Sequence, residues 1–314
     1  MATKKKKDKA PEGLVELKAK TFQTQLDQLT DTLCYKVQRE GAKKLSKPIF
    51  VIADIYMLMR QAHQSYRLFI FVNSDEHRTK DPNWRIAYSI AILPIIRCMI
   101  DCLYNVTAIL QSPGPKGYEF RESGYNRAFN ALDADERRYG GDPKWDQYIA
   151  EKRRAIEVGM QAVGITMDDV MSARTWPTLG QYLRVGKSNP DTRHKQFLRT
   201  LTYGLWQEYS GVAHATFQGL METASFFTPK DLPQEYWPRL DFMGERMVFL
   251  SVSRAAAILL CLLTEVQAYF MFEGADINKR LHGVWKALNV AFEIKGLYRE
   301  RYRKLMRDKG INPR

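Results

Sequence analysis

The sequence predicts an all-α fold, a multi-helix bundle with two nearly all-apolar central helices. Three observations predict it. Apolar residues recur every three to four positions over residues 13–45, as on one face of an amphipathic helix. Two long runs, 84–110 and 247–272, are apolar almost all round, the pattern of helices in the middle of a bundle. Short stretches rich in proline, glycine and charge stand between such segments and read as links. At 314 residues, 45% hydrophobic and 12% aromatic, the chain can bury a sizeable core, which excludes wholesale disorder. A mean hydropathy of -0.40 speaks against a polytopic membrane protein.

Residues 1–12 form a lysine-rich tail, and residues 13–314 read as a single helical domain with a subdivision near 112–117. No apolar segment follows Lys4–Lys7, so the expected location is cytoplasmic. In the first helix Val15, Ala19, Phe22, Leu26, Leu29, Leu33 and Val37 make a stripe that needs a partner. Homodimerisation through residues 13–45 and packing across the main body both satisfy it. Pro48 starts a second helix to about residue 73, whose polar face carries Arg60, His63 and Arg67. The third, 84–110, is kinked at Pro94 and carries Arg97, Asp101 and Asn105 at one residue per turn on an apolar cylinder.

Ser112-Pro-Gly-Pro-Lys-Gly117 reads as the clearest loop in the chain. Two charged amphipathic helices follow, 118–138 and 143–163, the latter packing through Trp145, Tyr148, Ile149, Ile156 and Met160. Residues 165–183 read as two short helices broken at Trp176-Pro177. A helix over 189–227, with Asn189 as N-cap, then carries a narrow polar line of Tyr203, Gln207, Ser210, His214 and Gln218. Gly204, Gly211 and Gly219 in it suggest a close neighbour. After a proline-rich loop at 228–238, the run 247–272 holds Arg254 and Glu265 on one face. Its charge-free part, 255–264, falls short of the roughly 20 residues of a membrane span, so membrane insertion is not expected. An amphipathic helix over 276–309 closes the chain.

The +13 formal charge favours a polyanionic partner such as RNA, DNA or an acidic membrane surface, without naming which. Two basic segments would meet it: Arg184, Lys187, Arg193, Lys195 and Arg199, and Arg299, Arg301, Arg303 and Lys304, the second interleaved with tyrosines as stacked bases require. No P-loop, dinucleotide fingerprint, HExxH or serine elbow is present, and no cofactor is expected. The four cysteines show neither a disulfide framework nor a second ligand pair beside Cys98 and Cys102, so no metal is expected either. The candidate catalytic set is His214 as general acid or base, Asp101 or Glu265 to orient its ring, Arg97 or Arg254 to hold a phosphate, and Ser210 beside it. The same residues would equally serve as a buried polar network fixing helix register.

At Tyr209-Ser-Gly-Val-Ala-His214 and Leu93-Pro-Ile-Ile-Arg97-Cys-Met-Ile-Asp101, the chain resembles a family of bacterial all-helical domains of unknown function. Members show an Arg with a nearby acid on one helix and a Ser or Tyr shortly before a His on a later one. More loosely it is similar to HEPN-type helical domains, many of which are ribonucleases in toxin and phage-defence systems. That resemblance implies RNA as substrate. The chain departs from those enzymes in one respect: they carry an Arg and a His on one helix with four to six residues between them, and none of His63, His77, His194, His214 or His282 has an Arg at that distance before it.

Overall fold

The computed structural model describes residues 12–45, 49–73, 91–186, 191–203, 205, 233–274, 276–288 and 302, with the side chains of 12–21 and a few other helical positions outside the description. Among the described residues the fold is all-α, with ten α-helices and no strand. Helices α1 (Glu12–Lys44) and α2 (Ile49–Val72) form an antiparallel hairpin. Its register follows from three cross-contacts: Gly41 against Ile52, Asp31 against Arg60 and Asp27 against His63. A Cβ on Gly41 would stand 2.8 Å from Ile52 Cδ1, so a glycine there lets the helices close near their link. Leu26, Leu29, Leu33 and Val37 are fully buried, so this part of the α1 stripe is spent inside the chain.

Helix α3 (Leu93–Gln111) lies at the centre, packed along α2 and along the long helix α9 (Trp237–Phe270), which also pack on each other. Ile96, Met99, Ile100, Leu103, Val106 and Ile109 on α3 meet Ala255–Leu263 on α9, all within 2% of complete burial. Burying each large aliphatic side chain contributes about 1.5–3 kcal/mol, so this three-helix centre supplies most of the apolar driving force. Helix α1 closes over α2 and α9, and α10 (Ile277–Ala287) packs on α1 and α9. Trp285 Nε1 donates to Thr264 Oγ1 (3.0 Å), which fixes α10 on α9.

Helices α4 (Pro113–Tyr139) and α5 (Pro143–Val163) form a second hairpin, with α6 (Met167–Ser172) and α7 (Leu179–Tyr182) after it. The start of α4 is tied to the centre: Arg121 makes a two-pronged contact with Asp54 (2.7 and 2.9 Å) and its guanidinium stacks over Phe50. A Cβ on Gly117 would overlap a Val51 methyl, which holds α4 close to α2. Farther out, Phe129, Met160, Ile165 and Val170 form a separate small core. Asp142 caps α5 by accepting from the Lys144 N–H, and Gly164 ends it at φ +72.

Four expectations from the sequence give way to a different geometry. Residues 112–117 are not a loop: only Ser112, at φ -157 and ψ 79, separates α3 from α4. Pro113 and Pro115 fall in the first turn of α4, where helical N–H groups have no acceptor anyway. Pro94 likewise lies in the first turn of α3, and the helical path breaks just upstream of it, at Ile92 between the helical Ala91 and Leu93, as the sequence leads one to expect. The helix expected from Asn189 begins instead at Arg193, with Thr192 capping α8 (Arg193–Leu198) before a π-helical turn, Arg199–Tyr203. Helix α10 ends at Ala287, where Leu288 is extended, so no continuous helix runs over 276–309. Trp145 and Tyr148, expected to pack, are exposed, while Ile149 and Met160 carry that role.

Among the described residues, two helices are long and apolar enough to cross a membrane, α3 over Leu93–Gln111 and α9 over Phe242–Phe270, and 67% of each such window is buried inside the protein. The second extends beyond the charge-free 255–264 and takes in Arg254 and Glu265.

Candidate functional site

His214 and Ser210 lie outside the described residues, as do Gln207, Gln218 and the glycines of that segment. The other four candidate catalytic residues stand on the packed pair α3 and α9. On α3, Arg97 Nε approaches Asp101 Oδ2 to 4.0 Å, the outer limit of an ion pair, and the two side chains are 24% and 42% exposed. They lie at the edge of the centre rather than within it. Asn105, one turn farther, is used structurally: its Oδ1 accepts from Trp176 Nε1 (2.9 Å). On α9, Glu265 is buried to 9% exposure and Arg254 is half-buried.

The first basic segment is less open than its composition implies. Lys195 is 3% exposed, its ammonium 5.4 Å from the Tyr182 ring centroid. Desolvation lowers its pKa, against the pull of Asp191. Arg199 pairs with Asp191 (3.2 Å) and also donates to the Leu183 carbonyl (3.2 Å). That contact, with the Gln196 amide, holds the Asp191 carboxyl below its ordinary range. Arg184 is exposed, the Arg193 side chain is not described, and Lys187 lies outside the described residues. Arg299, Arg301, Arg303 and Lys304 also lie outside them. Tyr302, in the middle of that second segment, is fully buried against Trp285 and Phe197, so it packs rather than offering a ring to a base.

Around Lys195 the structure assembles a polar and aromatic cluster that ties α3, α7 and α8 together. Tyr182 OH bonds His194 Nδ1 (2.8 Å), Tyr104 OH donates to the Pro177 carbonyl (2.8 Å), and the two tyrosine rings tilt together at 5.2 Å. Trp176 N–H donates to Ser123 Oγ (2.7 Å), joining α4 to the same cluster. Burial pushes both tyrosine hydroxyls up, Tyr104 further through Tyr182 and Asp101. Neutral phenols in such a place act as hydrogen-bond anchors.

A second titratable cluster, not singled out from the sequence, joins α1 to α2. His63, fully buried, meets Asp27 Oδ1 through Nε2 (2.7 Å), while its Nδ1 stands 3.9 Å from Asp31 Oδ1. Arg60 donates to the same Asp31 oxygen (2.7 Å). Burial opposes the Arg60 charge, but the Asp31 bond together with the charge interactions of Cys34, Asp31 and Tyr56 outweighs it and raises its pKa. Burial likewise pushes the Cys34 thiol up to about 11, with Arg60 working against it. The two carboxylates approach opposite ring nitrogens, so the three groups do not converge on one point as metal ligands must. A sealed imidazole reaches no substrate, which makes this cluster a pin between helices. The available signal was two acids at i, i+4 on α1 facing two bases at i, i+3 on the next helix.

No protein-family model, curated protein or solved structure matches the chain. The class established is therefore that of the fold, an all-helical bundle whose described charged clusters lie at helix–helix seams.

Proposed function

We propose that this chain is an RNA-engaging helical protein of HEPN-like type, with ribonuclease activity as its catalytic form. The observation that carries the reading is where the charge lies. Residues 1–12 hold five lysines against two acids and residues 289–314 eight basic residues against three acids, so these two ends supply +8 of the +13. Clustered cations bind a phosphate backbone by releasing its counterions, independently of sequence.

In the catalytic form, His214 takes the proton from a ribose 2′-hydroxyl, the 2′ oxygen attacks phosphorus, and the P–O5′ bond breaks with a proton delivered to O5′. Arg97 or Arg254 offsets charge on the phosphoryl oxygens, and Asp101 or Glu265 orients the imidazole. The partial exposure of Arg97 and Asp101 supports this use over a sealed one. Single-turnover cleavage of a labelled RNA is the test: His214→Ala and Arg97→Ala should each abolish cleavage while the thermal transition stays in place. Cleavage at the wild-type rate in both variants removes the enzymatic form.

A second reading, a non-catalytic scaffold or homodimer, is favoured by one observation, which lies on α2 and not in residues 13–45, whose described stripe is buried within the chain. Met57, Leu68 and Phe71 stand exposed along one line of α2. Concentration-dependent sedimentation that is lost in the chain with Leu68→Asp and Phe71→Asp, with no RNA bound at low salt, would select it.

A further inference from the structure

The outer end of the α4–α5 hairpin carries a feature that neither the packing nor the candidate catalytic set explains. Every residue from 136 to 148 is exposed, Tyr139, Trp145 and Tyr148 included, at 36%, 38% and 45%. Tyr139 stacks flat on Trp145 (4.4 Å, 14°), and Tyr148 meets Trp145 edge-on (5.7 Å, 86°). The Arg138 guanidinium lies 5.8 Å from the Tyr139 centroid and the Lys152 ammonium 5.5 Å from that of Tyr148. Rings of this size left in water cost free energy unless something covers them.

The charges around the rings say what that is. Residues 133–154 hold as many carboxylates as cations, but the two are used differently. Asp133 and Glu136 both take Arg153, Asp142 takes the Lys144 N–H, Asp146 takes the Gly141 N–H, and Glu151 takes the Gln147 amide. Arg137, Arg138, Lys144, Lys152 and Arg154 make no ion pair among the described residues. Five of the six carboxylates, though at the surface, are thus engaged in bonds within the hairpin, while two of the five cations without an ion pair, Arg138 and Lys152, lie over the rings of the aromatic column.

We propose that this tip docks single-stranded nucleic acid, with bases stacking on the Tyr139–Trp145–Tyr148 rings and phosphates meeting Arg138, Lys144 and Lys152. A single strand offers unstacked base faces and backbone charge together, whereas a duplex hides the faces that the rings would take. The inference rests on the nucleic-acid reading above for its class of partner and uses none of the catalytic residues.

The test uses the full chain with a ~12-nucleotide oligouridine, the matching oligothymidine and a blunt RNA duplex, followed by fluorescence anisotropy at about 50 mM salt. Trp145→Ala and Tyr148→Ala, with unchanged urea midpoints, should each weaken single-strand binding by about fivefold or more and leave duplex binding unaltered. Arg138→Gln with Lys152→Gln, which keeps the rings, should weaken it and flatten its salt dependence. The two single strands tell whether the partner is RNA or DNA. Ring variants that bind single strands like the wild type, or that lose strand and duplex alike, overturn the proposal. So does a Trp145-dependent association with phosphatidylserine vesicles without oligonucleotide binding. If Arg299→Gln, Arg301→Gln and Arg303→Gln together lower binding to strand and duplex while the ring variants do nothing, the RNA reading stands and this inference falls. Wild-type protein that binds no nucleic acid ends both.

Discussion

Cys98 is exposed on α3, while Cys34, Cys102 and Cys261 are buried. Burial pushes the Cys34 and Cys102 thiols up to about 11 and about 12. Only a thiolate reacts, so at pH 8 one thiol should label quickly in the native protein and three only on unfolding. Cys98→Ser should abolish the fast phase, counted by absorbance with a disulfide reagent. At the His63 pin, Asp27→Ala leaves a buried ring nitrogen without its 2.7 Å partner. That should cost about 1–3 kcal/mol in a urea titration, with Asp27→Asn closer to the wild type because its amide oxygen still accepts. The sequence exposed His63 and Arg60 as polar residues on α2, yet not their partners. A cross-helix pair needs the register of two helices, and periodicity reports only one helix at a time.

At the scale of elements, helix identity was legible wherever an apolar stripe decided it. The bounds of α1, α2 and the ends of α9 near Phe270 come from such stripes. Proline and glycine misled at 112–117 because their meaning depends on position. In a first turn a proline loses nothing, and a glycine can mark close packing instead of a bend. Gly117 makes that testable: Gly117→Ala should destabilise by about 1–3 kcal/mol through the Val51 clash, and Val51→Ala in the same chain should restore much of it.

The short helix α6 gives a pH test of the same kind. Asp169 closes a capping box with Thr166, whose hydroxyl and N–H hold the carboxyl below its ordinary 3.8. A group lowered on folding adds stability that is present above its unfolded pKa and lost as pH falls through the folded one. Asp169→Asn should therefore flatten the acid side of the stability profile below about pH 4 while leaving the neutral range less changed.

On the scale of the whole molecule, the all-α class and its two apolar central helices follow from composition and pattern alone, because a stripe every 3.6 residues has few other ways to be buried. The candidate site was legible only as types of residue. Arg97 and Asp101 lie partly exposed on α3, Lys195 and Tyr302 turn inward, and the aromatic tip at Trp145 was hidden behind a pattern that reads equally as a packing face. Charge patterning was the exception, since the concentration of cations at the two ends needs no structure to be seen.

That concentration makes the RNA reading directly measurable. The affinity of the full chain for a labelled RNA, followed as salt rises from about 50 to about 200 mM, should fall steeply, with a negative log–log slope of several units as counterions rebind. An affinity that does not change with salt, or no binding at the lowest salt, would contradict it.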